Sequence, residues 1–162
     1  MKPIRYIDLI DGRYQSKGYP PYDWSEYSDA PLTPLRKPLS ECTVSLLTSG
    51  GISHKSREPF NPIAKNDFRL DEIDPQAKGD EFVLNDDYYD TRDGEKDLNV
   101  IFPLERLGEL AAEGHIGKVA DRLWSGFMGR IYKRGHVIEE AAPRLAEKLR
   151  EDGVDIFVLV PA

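Results

Sequence analysis

The segment Val154-Asp155-Ile156-Phe157-Val158-Leu159-Val160 is almost continuously apolar. A strand with one wet face alternates, so an unbroken run of this length reads as a parallel strand covered on both faces. Just upstream, Ile138, Ala141, Ala142, Leu145, Ala146 and Leu149 recur at three- and four-residue steps, and Gly153 is placed to end the helix they define. Pro143 inside that pattern predicts a kink, or a restart with proline in the first turn. A helix delivering the chain into such a strand is the building unit of an α/β sheet.

Other segments extend the pattern. Thr43-Val44-Ser45-Leu46-Leu47-Thr48 is β-branched and apolar and runs into the breaker Ser49-Gly50-Gly51, which predicts a buried strand ending in a glycine turn. Residues 53–80 are polar and hold Pro59, Pro62 and Pro75, with a short strand expected near Phe68-Arg69-Leu70; the loop-like composition lasts until Phe82-Val83-Leu84. Pro103, then Leu104, Leu107, Leu110 and Ala111, with Gly114 behind them, predict an amphipathic helix over 103–113. A strand is expected over 116–123, followed by the turn Gly126-Phe127-Met128-Gly129, which reads as packing. The fold class expected is α/β: an open, mostly parallel, doubly wound (Rossmann-like) sheet, incomplete at its C-terminus.

Two domains of unequal character follow. Residues 1–40 hold six of the 12 prolines and five of the eight tyrosines and show no sustained period. They read as an extended Pro/Tyr-rich N-terminal arm, whose rings Tyr14, Tyr19, Tyr22, Trp24 and Tyr27 lie either on their own domain or across a neighbouring subunit. Residues 41–162 read as the N-terminal part of an α/β domain.

The formal net charge of −7 disfavours a phosphate backbone or an anionic membrane surface as partner. No apolar run reaches the roughly 18 residues of a membrane span, and the first residues alternate apolar and charged side chains. The chain reads as cytoplasmic, binding neither nucleic acid nor membrane. Its one cysteine, Cys42, excludes an internal disulfide and a thiolate metal cluster, and beside a strand it reads as packing.

The end of the chain poses a physical problem. The strand that reads as most buried is followed by Pro161 and Ala162, with nothing left to cover its second face. Ligands of doubly wound sheets sit beyond the carboxyl ends of such strands. Two readings stand: a small domain whose last strand is protected by a partner, or the front portion of a longer protein.

Chemistry-bearing side chains are densest over 85–106, where Asn85, Asp86, Asp87, Tyr88, Tyr89, Asp90, Asp93, Asp97 and Asn99 lead to the helix containing Arg106. Carboxylates and amides near a helix start can bind an amine or fix a hydroxyl, and equally they can form a solvated acidic loop. The acids lack the alternating register and closing glutamate of a calcium loop, so no metal is expected. Arg106 either binds a carboxylate or pairs with Glu109. His54, beyond the glycine turn, either faces the crevice or is an ordinary loop histidine. His115 and His136 read as structural.

Tyr89-Asp90, six residues, then Asp97, Asn99, Phe102-Pro103-Leu104 and Arg106 resemble a segment of the selenoprotein B subunits of glycine, sarcosine, betaine and D-proline reductases. The resemblance extends to Leu46-Leu47-Thr48-Ser49-Gly50-Gly51-Ile52-Ser53-His54-Lys55, to Glu113-Gly114-His115-Ile116-Gly117, to Gly126-Phe127-Met128-Gly129 and to residues 146–159, covering 43–162 in colinear order. Asp86 departs from it, standing where such relatives often carry histidine.

The resemblance implies reductive cleavage of a carbon–nitrogen bond, in which a selenolate or thiolate attacks the carbon α to a carboxylate and the amine leaves. It implies no catalytic residue within the chain, the selenocysteine or cysteine being expected just after Ala162, with a UGA codon taken as a stop. Ser49, Gly50, Gly51, His54, Asp86, Tyr89, Asp90, Asn99 and Arg106 are then the candidate substrate-binding residues. The implied partners are a subunit carrying a pyruvoyl group, a thioredoxin or dithiol reductant, and in addition a second copy of the chain. No cofactor is expected on this chain itself. The rival readings are a non-catalytic binding or assembly subunit whose last strand a partner caps, and an unrelated small-molecule-binding α/β domain.

Overall fold

The structure is a computed structural model that describes residues 5–21, 24, 28–29 and 33–162. It falls into two units, 1–34 and 35–162.

In the first unit the expectation of an extended arm is corrected by a helix, α1 (Tyr6–Gln15), none of whose residues is buried. Its aromatic residues are spaced too irregularly to make an apolar stripe, which is why the pattern concealed it. Tyr14 stacks edge-on against Tyr19 at 5.8 Å, and the Trp24 indole N–H donates to Asp11 at 3.1 Å. Tyr22 and Tyr27 lie outside the described residues.

The second unit is built on β1 (Thr43–Thr48), whose six residues are all buried. It pairs in parallel with β5 (Lys118–Val119) at its start and with β6 (Leu123–Gly126) at its end. Along its other edge it pairs in parallel with β7 (Ile156–Val160), from Val44↔Ile156 to Thr48↔Val160. The single strand expected over 116–123 is thus two short pieces in line. Beyond β6 lies the antiparallel β3 (Leu70–Ile73), two residues later than the sequence suggests. A separate antiparallel pair, β2 (Ile52–His54) with β4 (Phe82–Leu84), packs over β6, where Ser125 donates its hydroxyl to the Ile52 carbonyl at 2.7 Å. The mostly parallel open sheet is therefore present.

Helices cover its two faces. On one, Leu104 and Leu107 of α3 (Leu104–Ala112) join Val44, Leu46, Ile52, Phe82 and Phe102 in the larger core. A short helix, α2 (Arg92–Lys96), precedes α3. On the other face Leu145 meets Leu47 and Trp124. The helix carrying Leu145 begins as α4 (Arg134–His136), widens into a π-turn (Val137–Ala141) and continues as α5 (Ala142–Glu151). Pro143 explains the widening: it has no N–H to give and its ring crowds the preceding turn, so the restart allowed by the sequence is realised. Ile138 falls in the π-turn and is exposed, rotated off the apolar face to which a regular period assigns it.

The last strand corrects a second expectation. None of the five residues of β7 is fully buried, and Leu159 is 63% exposed, because among the described strands only β1 pairs with it. Its register is fixed at the start by Asp155, which accepts from the Thr43 amide at 2.8 Å, donates its own amide to the Thr43 carbonyl at 2.9 Å and pairs with Lys37 at 2.7 Å. Lys37 holds the Asp155 carboxyl below its usual range. Among the described residues no helix is long and apolar enough to cross a membrane.

Candidate functional site

The carboxyl end of β1 is shaped by its own last residue. Thr48 Oγ1 accepts the amide of Gly50 at 3.1 Å, turning the chain sharply. Gly51 follows at φ 71°, where a Cβ would stand 2.4 Å from the carbonyl oxygen of Asn85. Only glycine fits there, and the close approach is used: the Asn85 amide donates to the Gly51 carbonyl at 3.0 Å.

The segment after β4 is thereby clamped onto the turn. The Tyr89 phenol donates to the Gly50 carbonyl at 2.9 Å, and the Asp86 carboxylate accepts the Tyr88 amide at 2.7 Å. Burial leaves Asp86 7% exposed and raises its carboxyl above the ordinary value, while the Tyr89 phenol is pushed up to about 12, first by burial and then by Asp86. At neutral pH the phenol is therefore a firm donor.

The end of β7 comes to the same place. The Ser49 amide donates to the Val160 carbonyl at 3.2 Å, and Ser49 Oγ accepts the amide of Ala162 at 3.1 Å. Ser49, Gly50, Gly51, Asp86 and Tyr89 thus gather around one turn at the carboxyl end of β1, beside the end of β7; open α/β sheets hold ligands beyond such strand ends. Cys42 is not there. It is fully buried at the start of β1, with its sulfur 3.4 Å from the Pro38 carbonyl.

The other four candidates lie elsewhere. Asp90 is bound to Arg92 on the surface, which pulls its carboxyl down to about 2. Asn99 caps α3: its side-chain oxygen accepts the amides of Glu105 at 3.2 Å and Arg106 at 3.4 Å, while its amide group donates to Asp97 and Glu105. Pro103 at the helix entry has no capping side chain, so the cap comes from upstream. Arg106 pairs with Glu109 at 2.7 Å. His54 borders a different cleft, of about 330 Å³, with Arg57, Asp74 and Gln76 among its neighbours; its ring meets Ser56 at 2.7 Å and Glu81 at 3.2 Å. Among the described residues no group of three or more His, Cys, Asp or Glu is placed to hold a metal ion.

Sequence reasoning named Thr48 as a strand residue and Asn85 as part of the acidic stretch 85–106 and made neither a site residue, yet both hold the glycine turn. A threonine one residue before Ser-Gly-Gly is the signal for the first. The second acts through its backbone and leaves none.

Residues 20–162 match the family model described as glycine/sarcosine/betaine reductase selenoprotein B. The chain is 35% identical over 127 residues to a D-proline reductase subunit gamma from Acetoanaerobium sticklandii, covering 78% of this chain and 51% of that protein. It is 27% identical over 166 residues to a glycine reductase complex component B subunit gamma from Carboxydothermus hydrogenoformans, covering 96% of this chain and 36% of that protein. A sarcosine reductase complex component B subunit beta from Peptoclostridium acidaminophilum is 26% identical over 159 residues, with 96% and 36% covered. The chain therefore spans about half or less of the length of these relatives. No solved structure matches it.

Proposed function

Because the chain belongs to the glycine/sarcosine/betaine reductase selenoprotein B family, we propose that it forms the substrate-holding front part of a reductase component B subunit that cleaves a carbon–nitrogen bond reductively. The observation that carries this reading is the meeting of the Asp86–Tyr89 segment and the end of β7 at the glycine turn that closes β1.

The nucleophile in this proposal is a selenolate or thiolate other than Cys42, which is buried at the opposite end of β1. It attacks the carbon α to the substrate's carboxylate; the carbon–nitrogen bond breaks and its electron pair stays on nitrogen, a primary or secondary amine taking up a proton as it is displaced and the quaternary nitrogen of betaine leaving without one. Asp86, whose carboxyl burial raises above its ordinary range, is the candidate donor of that proton in this proposal. Tyr89 holds the Gly50 carbonyl and so keeps the turn in the shape that receives the carboxylate end of the substrate. A thioredoxin or other dithiol then cleaves the carbon–chalcogen bond reductively: the carbon takes up a proton, the dithiol becomes a disulfide and the chalcogenolate nucleophile is restored. A pyruvoyl-bearing partner subunit would activate primary and secondary amines. Glycine, sarcosine, betaine and D-proline are the substrate class.

A second reading has one observation behind it. Among the described strands β7 pairs with β1 alone and Leu159 is exposed, which suits a non-catalytic assembly subunit capped by another chain.

The test is a full-length subunit assayed with its pyruvoyl-bearing partner and a dithiol. Asp86→Asn is expected to lower kcat about 100-fold, the scale of a lost general acid. Unchanged turnover in Asp86→Asn and Tyr89→Phe would favour the assembly reading.

A further inference from the structure

On the α5 face of the sheet lies a cleft of about 210 Å³ that includes none of the glycine-turn residues described above. Phe68, Phe127 and Trp124 give it aromatic walls, and His136, Arg144 and Lys148 line it from the helix side. The π-turn borders it through Ala141, so the widening forced by Pro143 is part of its rim. Such turns recur at functional sites.

Trp124 marks the cleft as a place for a ligand. The residue is fully buried, yet its indole N–H has no hydrogen-bond acceptor, the one buried side-chain nitrogen or oxygen in that state among the described residues. Buried indoles ordinarily find an acceptor, so an unmade bond beside an open cleft calls for one from outside the chain. The surroundings say which kind. The Lys148 ammonium sits 5.7 Å from the Trp124 ring centroid and uses one contact, to Glu72 at 2.8 Å. Arg144, 76% exposed, is held only loosely by Glu140 at 3.7 Å. His136 pairs with that same Glu140 at 3.2 Å and stacks on Phe68 at 4.2 Å. Lys148 and Arg144 face the cleft, where Glu72 is the one lining carboxylate, while Glu140 meets Arg144 and His136 from outside the lining.

We propose that this cleft binds a small carboxylate with a flat apolar body, the indole N–H of Trp124 and the Lys148 ammonium meeting the carboxylate while Phe68 and Phe127 cover the body. Its volume lies below the roughly 300 Å³ at which sites for drug-sized molecules begin, so the ligand is of benzoate size. The site is independent of the reductase reading.

Nitrogen-15 NMR of the full-length subunit tests it, since tryptophan indoles give separate signals and Trp124→Phe and Trp24→Phe identify the two that matter. Sodium benzoate is expected to shift the Trp124 indole saturably and to leave that of Trp24 in place. Benzamide, which lacks the charge, should bind at least about fivefold more weakly, and Arg144→Gln or Lys148→Gln should cost benzoate a similar factor. Both of these positions are at least partly exposed, so the fold survives where Trp124→Phe could unsettle it. No saturable shift, an equal response to benzamide or benzylamine, or full affinity in both charge variants would overturn the proposal.

Discussion

The Tyr89 phenol donates to the carbonyl of Gly50, a residue 39 positions earlier, and that bond ties the loop before α2 to the carboxyl end of β1. Gly50 is buried, so removing the phenol leaves a carbonyl without a partner. Tyr89→Phe should lower stability by about 1–3 kcal/mol in urea unfolding. An unchanged midpoint would mean that the loop is held by its backbone contacts alone.

Gly51 and Gly108 separate backbone need from mere tolerance. A Cβ at Gly51 meets Asn85 at 2.4 Å at a positive φ, whereas one at Gly108, within α3, meets nothing within 4 Å. Gly51→Ala should therefore destabilise by more than about 1 kcal/mol, and Gly108→Ala should stabilise by about 0.5–1 kcal/mol. Thermal melts of the two variants, moving in opposite directions, check the pair.

Arg122 closes the sheet edge onto the end of α5. Its guanidinium meets Asp152 at 2.7 Å, Glu151 at 3.2 Å and the Lys148 carbonyl at 3.3 Å, and lies over the Trp124 ring at 5.4 Å. The Asp152 side chain is 11% exposed and that of Glu151 is 69% exposed. Asp152→Asn should cost about 1.5–3 kcal/mol, because a charge-assisted bond shielded from water is lost. Glu151→Gln should cost less than about 1 kcal/mol, as exposed pairs do.

Asp86 gives the fold a pH signature. Its folded pKa lies above the unfolded value because burial penalises the carboxylate, so the folded state holds the proton more tightly. Its contribution is complete below the ordinary carboxylate range and is lost as pH rises through the folded pKa. Asp86→Asn, which keeps an oxygen for the Tyr88 amide, should equal or exceed wild-type stability near neutral pH. The advantage should shrink as the medium is acidified. Denaturant titrations across that range would show a gap of the opposite sign if Asp86 were held by an unseen cation.

The strands and helices were legible where a single periodicity dominates. Thr43–Thr48 is bounded in the structure as its β-branched run predicts, and the helix expected over 103–113 is Leu104–Ala112. The sequence misled where tertiary partners decide. The run 154–160 looks wholly buried by composition, yet among the described strands β7 pairs with β1 alone, since apolar continuity says nothing about how many neighbours a strand has. β2 was unreadable in Ile52-Ser53-His54, because three residues carry no period and their pairing with β4 spans a long loop. Within the site, Gly51 and Tyr89 could be picked out by type. That Asn99 caps α3 and Asp90 holds Arg92 could not, because a polar side chain near a helix serves the backbone as readily as a ligand.

The proposed function rests on Asp86 acting beside the glycine turn at the carboxyl ends of β1 and β7. Turnover of the full-length subunit carrying Asp86→Asn, with its pyruvoyl-bearing partner and a dithiol, tests it most directly. The expected result is a kcat lowered about 100-fold in a subunit that keeps its fold. Wild-type turnover in a folded Asp86→Asn subunit would contradict it.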